Sequence, residues 1–215
     1  MKSSTQKRVK FIIVYAILAI VCVAALLPFF WMIRSSLMDR KQLFEFPIKV
    51  IPDPVRWSNY PKALSSQPFA LYFVNTLFLV IVNMVGTVLT SAMAGYSFTR
   101  LKWKGKKVVF YAMLTTMMIP SFITLIPTFL IWSAIGLTNS YWPLALPAWL
   151  GGGAYNIFLV RQFFLTIPKD LDEAALIDGA SQPRIFWSIL LPLVKPVLAT
   201  IAIFTFINVW NDLLG

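Results

Sequence analysis

Long apolar stretches with few charged residues alternate with shorter polar segments along this chain. A helix needs about 20 mostly apolar residues to cross the hydrocarbon core of a bilayer, and most of these stretches are long enough. The pattern therefore predicts an all-α fold, a polytopic bundle of membrane helices joined by polar segments. The predicted spans are 11–33, 71–98, 108–135, 141–164 and 197–215.

Proline and glycine interrupt the third and fourth predicted spans. Pro120 and Pro127 fall inside 108–135, and three consecutive glycines fall inside 141–164. Broken helices at membrane depth are tolerated only where protein or a water-filled cavity satisfies the backbone, which favours a solute pathway. Proline and glycine are also frequent in ordinary membrane helices, so both interpretations stay open.

The distribution of basic residues predicts the orientation of the chain. The protein is 59% hydrophobic and carries a formal net charge of +11. Its basic residues lie at the ends of apolar stretches, which is typical of membrane topology and not of a nucleic-acid surface. These residues are unevenly divided between the two predicted sides of the membrane. One side comprises 1–10, the segment between the second and third spans and the segment after the fourth span, and it has about twice as many as the segment 34–70 on the other side. We therefore expect a cytoplasmic N-terminus at 1–10, an external loop at 34–70, a cytoplasmic loop at 167–196 and no nucleic-acid partner.

The residues available for chemistry exclude most enzyme classes. The chain has no histidine and one cysteine, Cys22, which lies inside an apolar stretch. These facts argue against metal-ligand sets and histidine-based catalysis, and no glycine-rich lysine motif for binding phosphates is present. We predict a transporter subunit without catalytic residues, metal or cofactor of its own, and consider a membrane-embedded enzyme the weakest alternative.

An ion-coupled secondary transporter is a second alternative. Proton-coupled transporters usually place carboxylates within their spans, and no Asp or Glu occurs between Pro54 and Lys169. Sodium coupling through backbone carbonyls of broken helices stays open on these grounds.

The polar loop 167–196 contains half of the eight carboxylates of the chain: Asp170, Asp172, Glu173 and Asp178. We expect Asp170 to cap a short helix, with Glu173 three residues later completing a capping box. Gly179 then ends that helix, and Ser181 can cap the next one. Local physics leaves two interpretations open. In the first, Glu173 only caps its helix and Gly179 only provides a left-handed turn. In the second, both residues contact a partner.

The spacing within this loop resembles the EAA loop of bacterial ABC importer permeases. The matching positions are Glu173, Ala174, Ala175, Gly179, Ile189, Leu191 and Pro192. The flanking segments around Asn156 and Trp210 are similar to the carbohydrate-uptake, maltose-type branch of that family. The resemblance implies the ABC importer type-1 transmembrane fold, with about five of its six spans present here, so that 71–215 is an incomplete domain and the chain a C-terminally truncated fragment.

The resemblance also implies partners and roles. The segment 170–180 is expected to be a coupling helix that inserts into a groove on a cytoplasmic ABC ATPase dimer, which binds the ATP. Glu173 would make the charged contact, Ala174 and Ala175 would permit close approach, and Gly179 would allow the turn, with Asp170 and Asp178 in the same contact region. The other expected partners are a second permease subunit, an extracellular or periplasmic solute-binding protein and the lipid of a bacterial cytoplasmic membrane.

Four residues within the spans suit a pathway for sugars, because amide groups and aromatic faces bind sugar hydroxyls and rings: Asn75, Asn83, Asn156 and Trp210. For each of them, helix packing or a place at the membrane interface is the more common role. The sequence leaves open whether the solute is a disaccharide, an oligosaccharide or a glycerol phosphate.

Overall fold

The computed structural model describes residues 4–212, and every regular element in that range is helical. This confirms the predicted all-α architecture for the described part of the chain. The first three positions of 1–10 and the last three of 197–215 lie outside the described residues. The chain divides into two compact units, Met1–Ala70 and Leu71–Gly215.

The first unit contains one long helix and two short ones. They are α1 (Ser4–Ser36), α2 (Arg40–Phe44) and α3 (Asn59–Ser66). Helix α1 includes the predicted first span at 11–33 and is strongly apolar. The two short helices lie within the proline-rich segment at 34–70, which is too rich in proline for a longer helix.

Side chains that bind main-chain groups organise the segment after α1. The Asp39 carboxylate accepts a hydrogen bond from the Gln42 backbone N–H at 2.9 Å and caps α2. The buried Gln42 amide donates to the carbonyl of Asp53 at 2.6 Å. The Asn59 amide donates to the carbonyls of Ser36 and Met38, both at 2.9 Å. The segment is therefore ordered by polar contacts with its own backbone.

The second unit holds the remaining helices. They are α4 (Phe69–Thr99), α5 (Lys106–Thr116), α6 (Ser121–Ala134), α7 (Trp142–Trp149), α8 (Ala154–Thr166), α9 (Asp170–Ile177), α10 (Gln182–Leu193) and α11 (Lys195–Trp210). Helix α4 packs closely against α8 at Gly95. A Cβ added at this glycine would lie only 2.7 Å from Val160 Cγ1. Small residues permit this kind of backbone approach between membrane helices.

Two of the predicted spans are bent pairs of helices. The predicted span 108–135 consists of α5 and α6, which meet at 102°. The bend lies at Pro120, whose backbone is extended and which cannot donate the helical hydrogen bond, whereas Pro127 stays inside α6. Helices α10 and α11 meet at 77°. By length and hydropathy, the described residues contain three helices that could cross a membrane, or up to five if each bent pair is one span.

The most densely packed part of the second unit surrounds the loop at 167–196. The largest fully buried side chains there are those of Phe164, Ile185, Leu190 and Ile201. They come from α8, α10 and α11, and α4 contributes Ala92 and Tyr96 to the same core. Helix α6, by contrast, has no buried residue.

Candidate coupling site

Helix α9 covers the positions expected to form the coupling helix, and its two alanines differ in environment. Glu173 and Ala174 are exposed, whereas Ala175 is only 7% exposed and belongs to the core. Asp170, Gly179 and Asp178 are exposed as well. Helix α9 therefore rests on the core through one face, with Ala175 at the contact, and presents the other face to the outside.

The predicted capping box at the start of α9 is wrong. Lys169 occupies the N-cap position and makes no side-chain cap, and Asp170 is the first helical residue. The chain enters the helix one residue earlier than expected, because the Lys169 carbonyl already accepts from the N–H groups of Asp172 and Glu173. The carboxylates of the first turn still stabilise α9 by interacting with the positive end of the helix dipole.

Ser181 stands at the N-cap position of α10, as expected from the sequence, with an extended backbone. Its side chain nevertheless forms no capping hydrogen bond. Helix α10 is π-helical in its middle part, from Ile185 to Leu190, and this part buries Phe186 in the core. The side of the loop that follows Gly179 is thus held by apolar packing.

Gly179 ends α9 in a left-handed conformation with φ of +77°. Its N–H donates to the Leu176 carbonyl at 3.0 Å, and the Ala180 N–H donates to the Ala175 carbonyl at 2.9 Å. This pair of bonds is the Schellman motif. A Cβ at Gly179 would meet nothing within 4 Å, so glycine is favoured here by the backbone conformation and not by a lack of space.

Arg100, which follows α4, is the residue of this site that sequence reasoning missed. Its guanidinium donates to the carbonyls of Phe164 at 3.2 Å and Ile167 at 2.8 Å, where α8 ends. Its Nε atom lies 3.0 Å from Asp172 Oδ2 on α9, and the side chains are only 5% and 16% exposed. The Nε–H does not point at that oxygen, so the contact is an ion pair without a hydrogen bond. The sequence shows Arg100 only as one member of a basic cluster.

Burial dominates the electrostatics of the Asp172 carboxyl. Desolvation raises its pKa above the ordinary value, the Arg100 charge opposes this shift, and the neighbouring Glu173 charge adds to it. The Asp172 Oδ1 atom is buried and has no hydrogen-bond partner. The ion pair with Arg100 therefore links α9 to the end of α4, but it does not fully offset the cost of burying the charged form of Asp172.

Tyr96 provides a second contact between α4 and the loop. Its hydroxyl donates to the side-chain oxygen of Gln182 at 2.5 Å. Its ring lies 5.1 Å from that of Phe186 and 6.1 Å from that of Phe164, measured between centroids. The end of α4 and the residue that follows it thus contact the loop together: Arg100 contacts α8 and α9, and Tyr96 contacts α8 and α10.

Two small cavities lie beside α11 and include three of the four residues proposed for a solute pathway. The first, of about 180 Å³, is lined by Asn83 and Trp210 together with Thr76 and Asp212. The second, of about 250 Å³, is lined by Asn156, Tyr155, Thr205 and Asn208 among others. Asn75 is half-buried and lines neither cavity.

Asn83 and Asn156 also bind carbonyls of their own segments, and Trp210 packs against other aromatic rings. Asn83 donates to the Leu79 carbonyl at 2.8 Å, and Asn156 donates to the Gly152 carbonyl at 2.7 Å. Trp210 stacks on Phe206 and meets Phe73 edge-on. The structure therefore brings Asn83 and Trp210 together at one cavity and leaves Asn156 at the other.

Comparison with known proteins assigns the family. The model of the binding-protein-dependent transport system inner membrane component family matches residues 86–215. The chain belongs to this family. The predicted ABC permease family is confirmed. This family consists of transporter subunits, so the prediction that the chain is a transporter subunit and not an enzyme is confirmed as well.

Named relatives come from sugar and glycerol phosphate transport. The chain is 31% identical to the diacetylchitobiose uptake system permease protein NgcG of Streptomyces coelicolor, over 93% of this chain and 66% of that protein. It is 34% identical to the sn-glycerol-3-phosphate transport system permease protein UgpE of Yersinia pestis, over 88% of this chain and 69% of that protein. The chain thus spans about two thirds of the length of these relatives.

A solved structure shares the fold. A chain in the crystal structure of a bacterial ABC transporter involved in the import of the acidic polysaccharide alginate superposes with a TM-score of 0.84 at 26% identity. The match covers 99% of this chain and 74% of that one. The predicted ABC importer type of membrane fold is confirmed.

Proposed function

We propose that this chain is a permease subunit of an ATP-driven importer and forms part of the path by which a sugar or related solute crosses the cytoplasmic membrane. The observation that carries the proposal is the form of the loop at 167–196. Its short helix α9 rests on the core through Ala175 and exposes Glu173 and Ala174 on the opposite side. Such a helix is suited to bind a second protein on its exposed face and to be displaced by the motion of that protein.

The exposed face of α9 fits a groove on a cytoplasmic ATPase subunit. Glu173, Asp170 and Asp178 supply negative charge, and Ile177 is 86% exposed although it is apolar. An apolar centre with a polar rim is the usual arrangement of a protein interface. Ala174 has a small side chain that allows close approach, and Gly179 holds the turn that ends the helix.

The assembly and orientation follow from the same proposal. The ATPase dimer binds ATP and lies on the cytoplasmic side, which places 167–196 and the N-terminus in the cytoplasm, as the basic residues predict. A second permease subunit completes the membrane path, and a solute-binding protein delivers the solute from outside. The chain itself then needs no cofactor.

The solute belongs to the polyhydroxylated class. The relatives named above are permeases of a diacetylchitobiose uptake system and an sn-glycerol-3-phosphate transport system, and the solved structure is of an ABC transporter involved in alginate import. The amides and indole beside α11 are groups that bind hydroxyls and sugar rings. We assign Asn83, Trp210 and Asn156 to the path, and Asn75 to its neighbourhood.

The proposal is tested by reconstituting the complex. The permease is purified with the subunits that copurify with it, inserted into liposomes and supplied with the solute-binding protein, whose bound solute is identified first. Uptake of that solute is expected only when ATP is present on the side of the bilayer that the ATPase subunits face. Uptake that persists without ATP and stops when the ion gradient is removed would instead support a secondary transporter.

A further inference from the structure

The end of α4 contacts both arms of the loop at 167–196, through Tyr96 in its last turn and Arg100 directly after it. Arg100 lies four residues after Tyr96, just beyond the end of α4, and its backbone N–H donates to the Tyr96 carbonyl at 2.8 Å. Both side chains therefore extend from the same end of the helix. Arg100 reaches the arm before Gly179, through Asp172, and Tyr96 reaches the arm after it, through Gln182. Helix α9 is thus tied to α4 although the two are not consecutive in the chain.

Arg100 is suited to transmit force because its hydrogen-bond acceptors and its ion-pair partner come from two different segments. The carbonyls of Phe164 and Ile167 belong to the end of α8, and the Asp172 carboxylate belongs to α9. The guanidinium fixes the two carbonyls by hydrogen bonds and attracts the carboxylate by its charge. Since the pair is buried, water does not screen it as it screens an ion pair at the surface.

The neighbouring packing reinforces this connection. Gly95 lets α4 approach Val160 of α8 so closely that a side chain at position 95 would collide with it. Phe164 and Phe186 surround the Tyr96 ring. Packed side chains and polar contacts of this kind can carry energetic coupling between two elements.

We propose that Arg100 is a positioning residue that passes the displacement of α9 to the membrane helix α4, with Tyr96 as the second contact on the other arm of the loop. This inference rests on the proposed function, in which α9 receives the motion of the ATPase. Arg100 lines neither of the two cavities assigned to the path, so we expect its removal to change how much solute moves for each ATP hydrolysed.

The first test uses Asp172→Asn in the reconstituted complex. This change keeps the size of the side chain and removes its charge, and the raised pKa of Asp172 shows that burial already disfavours the charged form. We expect the solute transported per ATP hydrolysed to fall about tenfold, within the usual range of coupling between sites, while ATP hydrolysis stays within about twofold of the wild type. Glu45→Gln, at a half-exposed carboxylate paired with Lys49, is the matched control and should leave the ratio unchanged.

The second test asks whether the two residues act as a pair. Arg100→Met is expected to lower the same ratio at least as far, and adding Asp172→Asn to it should lower the ratio no further. Tyr96→Phe removes only the hydroxyl bond to Gln182 and should lower the ratio by about threefold. This mild variant keeps the proposal testable if Arg100→Met does not fold.

Two outcomes overturn the inference. One is a wild-type ratio of transport to hydrolysis in both Asp172→Asn and Tyr96→Phe. The other is a loss of complex assembly in which the remaining complexes keep the wild-type ratio, because the contacts would then serve folding alone. Failure of the wild-type complex to use ATP for uptake would contradict the proposed function instead, and the two failures are therefore distinguishable.

Discussion

Two buried arginines organise two polar regions of this protein in different ways. Arg34, near the end of α1, is 4% exposed, lies over the Trp31 ring and donates to the carbonyls of Lys49 and Val50. Arg100, which follows α4, has a side chain that is only 5% exposed, but it donates to carbonyls 64 and 67 residues away and pairs with a carboxylate on α9. The first region closes on itself, whereas the second is tied to several membrane helices.

The difference indicates where a disturbance would travel. Contacts between residues about 15 apart order a segment without involving the rest of the fold. The contacts of Arg100 join α4, α8 and α9, so a disturbance there reaches the packed core. We therefore expect changes near Arg34 to stay local, and changes near Arg100 to affect both stability and coupling.

The largest expected effect compares Arg100→Met with Arg34→Met. Arg100→Met leaves Asp172 buried without its counter-ion, which costs about 3 kcal/mol in the free energy of unfolding. Arg34→Met leaves only carbonyls without a donor and costs about 1–2 kcal/mol. Thermal unfolding of the purified protein in detergent measures both. Limited proteolysis should show new cleavage at 37–66 in Arg34→Met, and an equal loss of stability in the two variants would contradict the comparison.

The next largest effect separates the two alanines of α9. Ala175→Leu overfills the core and should lower the free energy of unfolding by about 1–3 kcal/mol. Ala174→Leu projects from the exposed face and should leave stability unchanged while uptake is lost, because the side chain holds the ATPase away. Thermal unfolding and uptake are measured on the same preparations. Normal uptake by Ala174→Leu would remove Ala174 from the proposed contact.

A smaller effect distinguishes the role of Gly179 in coupling from its role in the backbone. Gly136 is the matched control, since it has φ of +73°, close to the +77° of Gly179, and both have open space around the missing Cβ. Alanine at either position should cost about 1–2 kcal/mol because of the left-handed conformation. Only Gly179→Ala should also change the transport per ATP. The same change in both variants would mean that Gly179 serves the turn alone.

The smallest effect is a pH dependence that belongs to Asp172. Burial raises its pKa above the ordinary 3.8, so the folded protein holds this proton more tightly than the unfolded one. The resulting contribution to stability is present below 3.8 and is lost as the pH rises through the raised pKa. The melting temperature of the wild type minus that of Asp172→Asn should therefore fall as the pH rises from about 4. A difference that grows with pH would mean that the Arg100 charge outweighs burial.

The local features of this protein were predictable because each depends on neighbouring residues. Hydropathy over about 20 residues identified helices that are apolar enough to cross a membrane, and the spacing from Glu173 to Pro192 identified the family. The left-handed turn at Gly179 also follows from a local preference, since glycine meets no steric penalty there.

The features that were missed depend on how distant segments pack. Both Pro120 and Pro127 could interrupt a helix, yet only Pro120 does so, at the bend between α5 and α6. The expected cap at Asp170 was displaced by one residue. Arg100 and Asp172 meet only because α4, α8 and α9 pack together, and no pattern of neighbouring residues encodes that arrangement. Local sequence determines which helices form, whereas long-range packing decides which charges meet and how the loop is held.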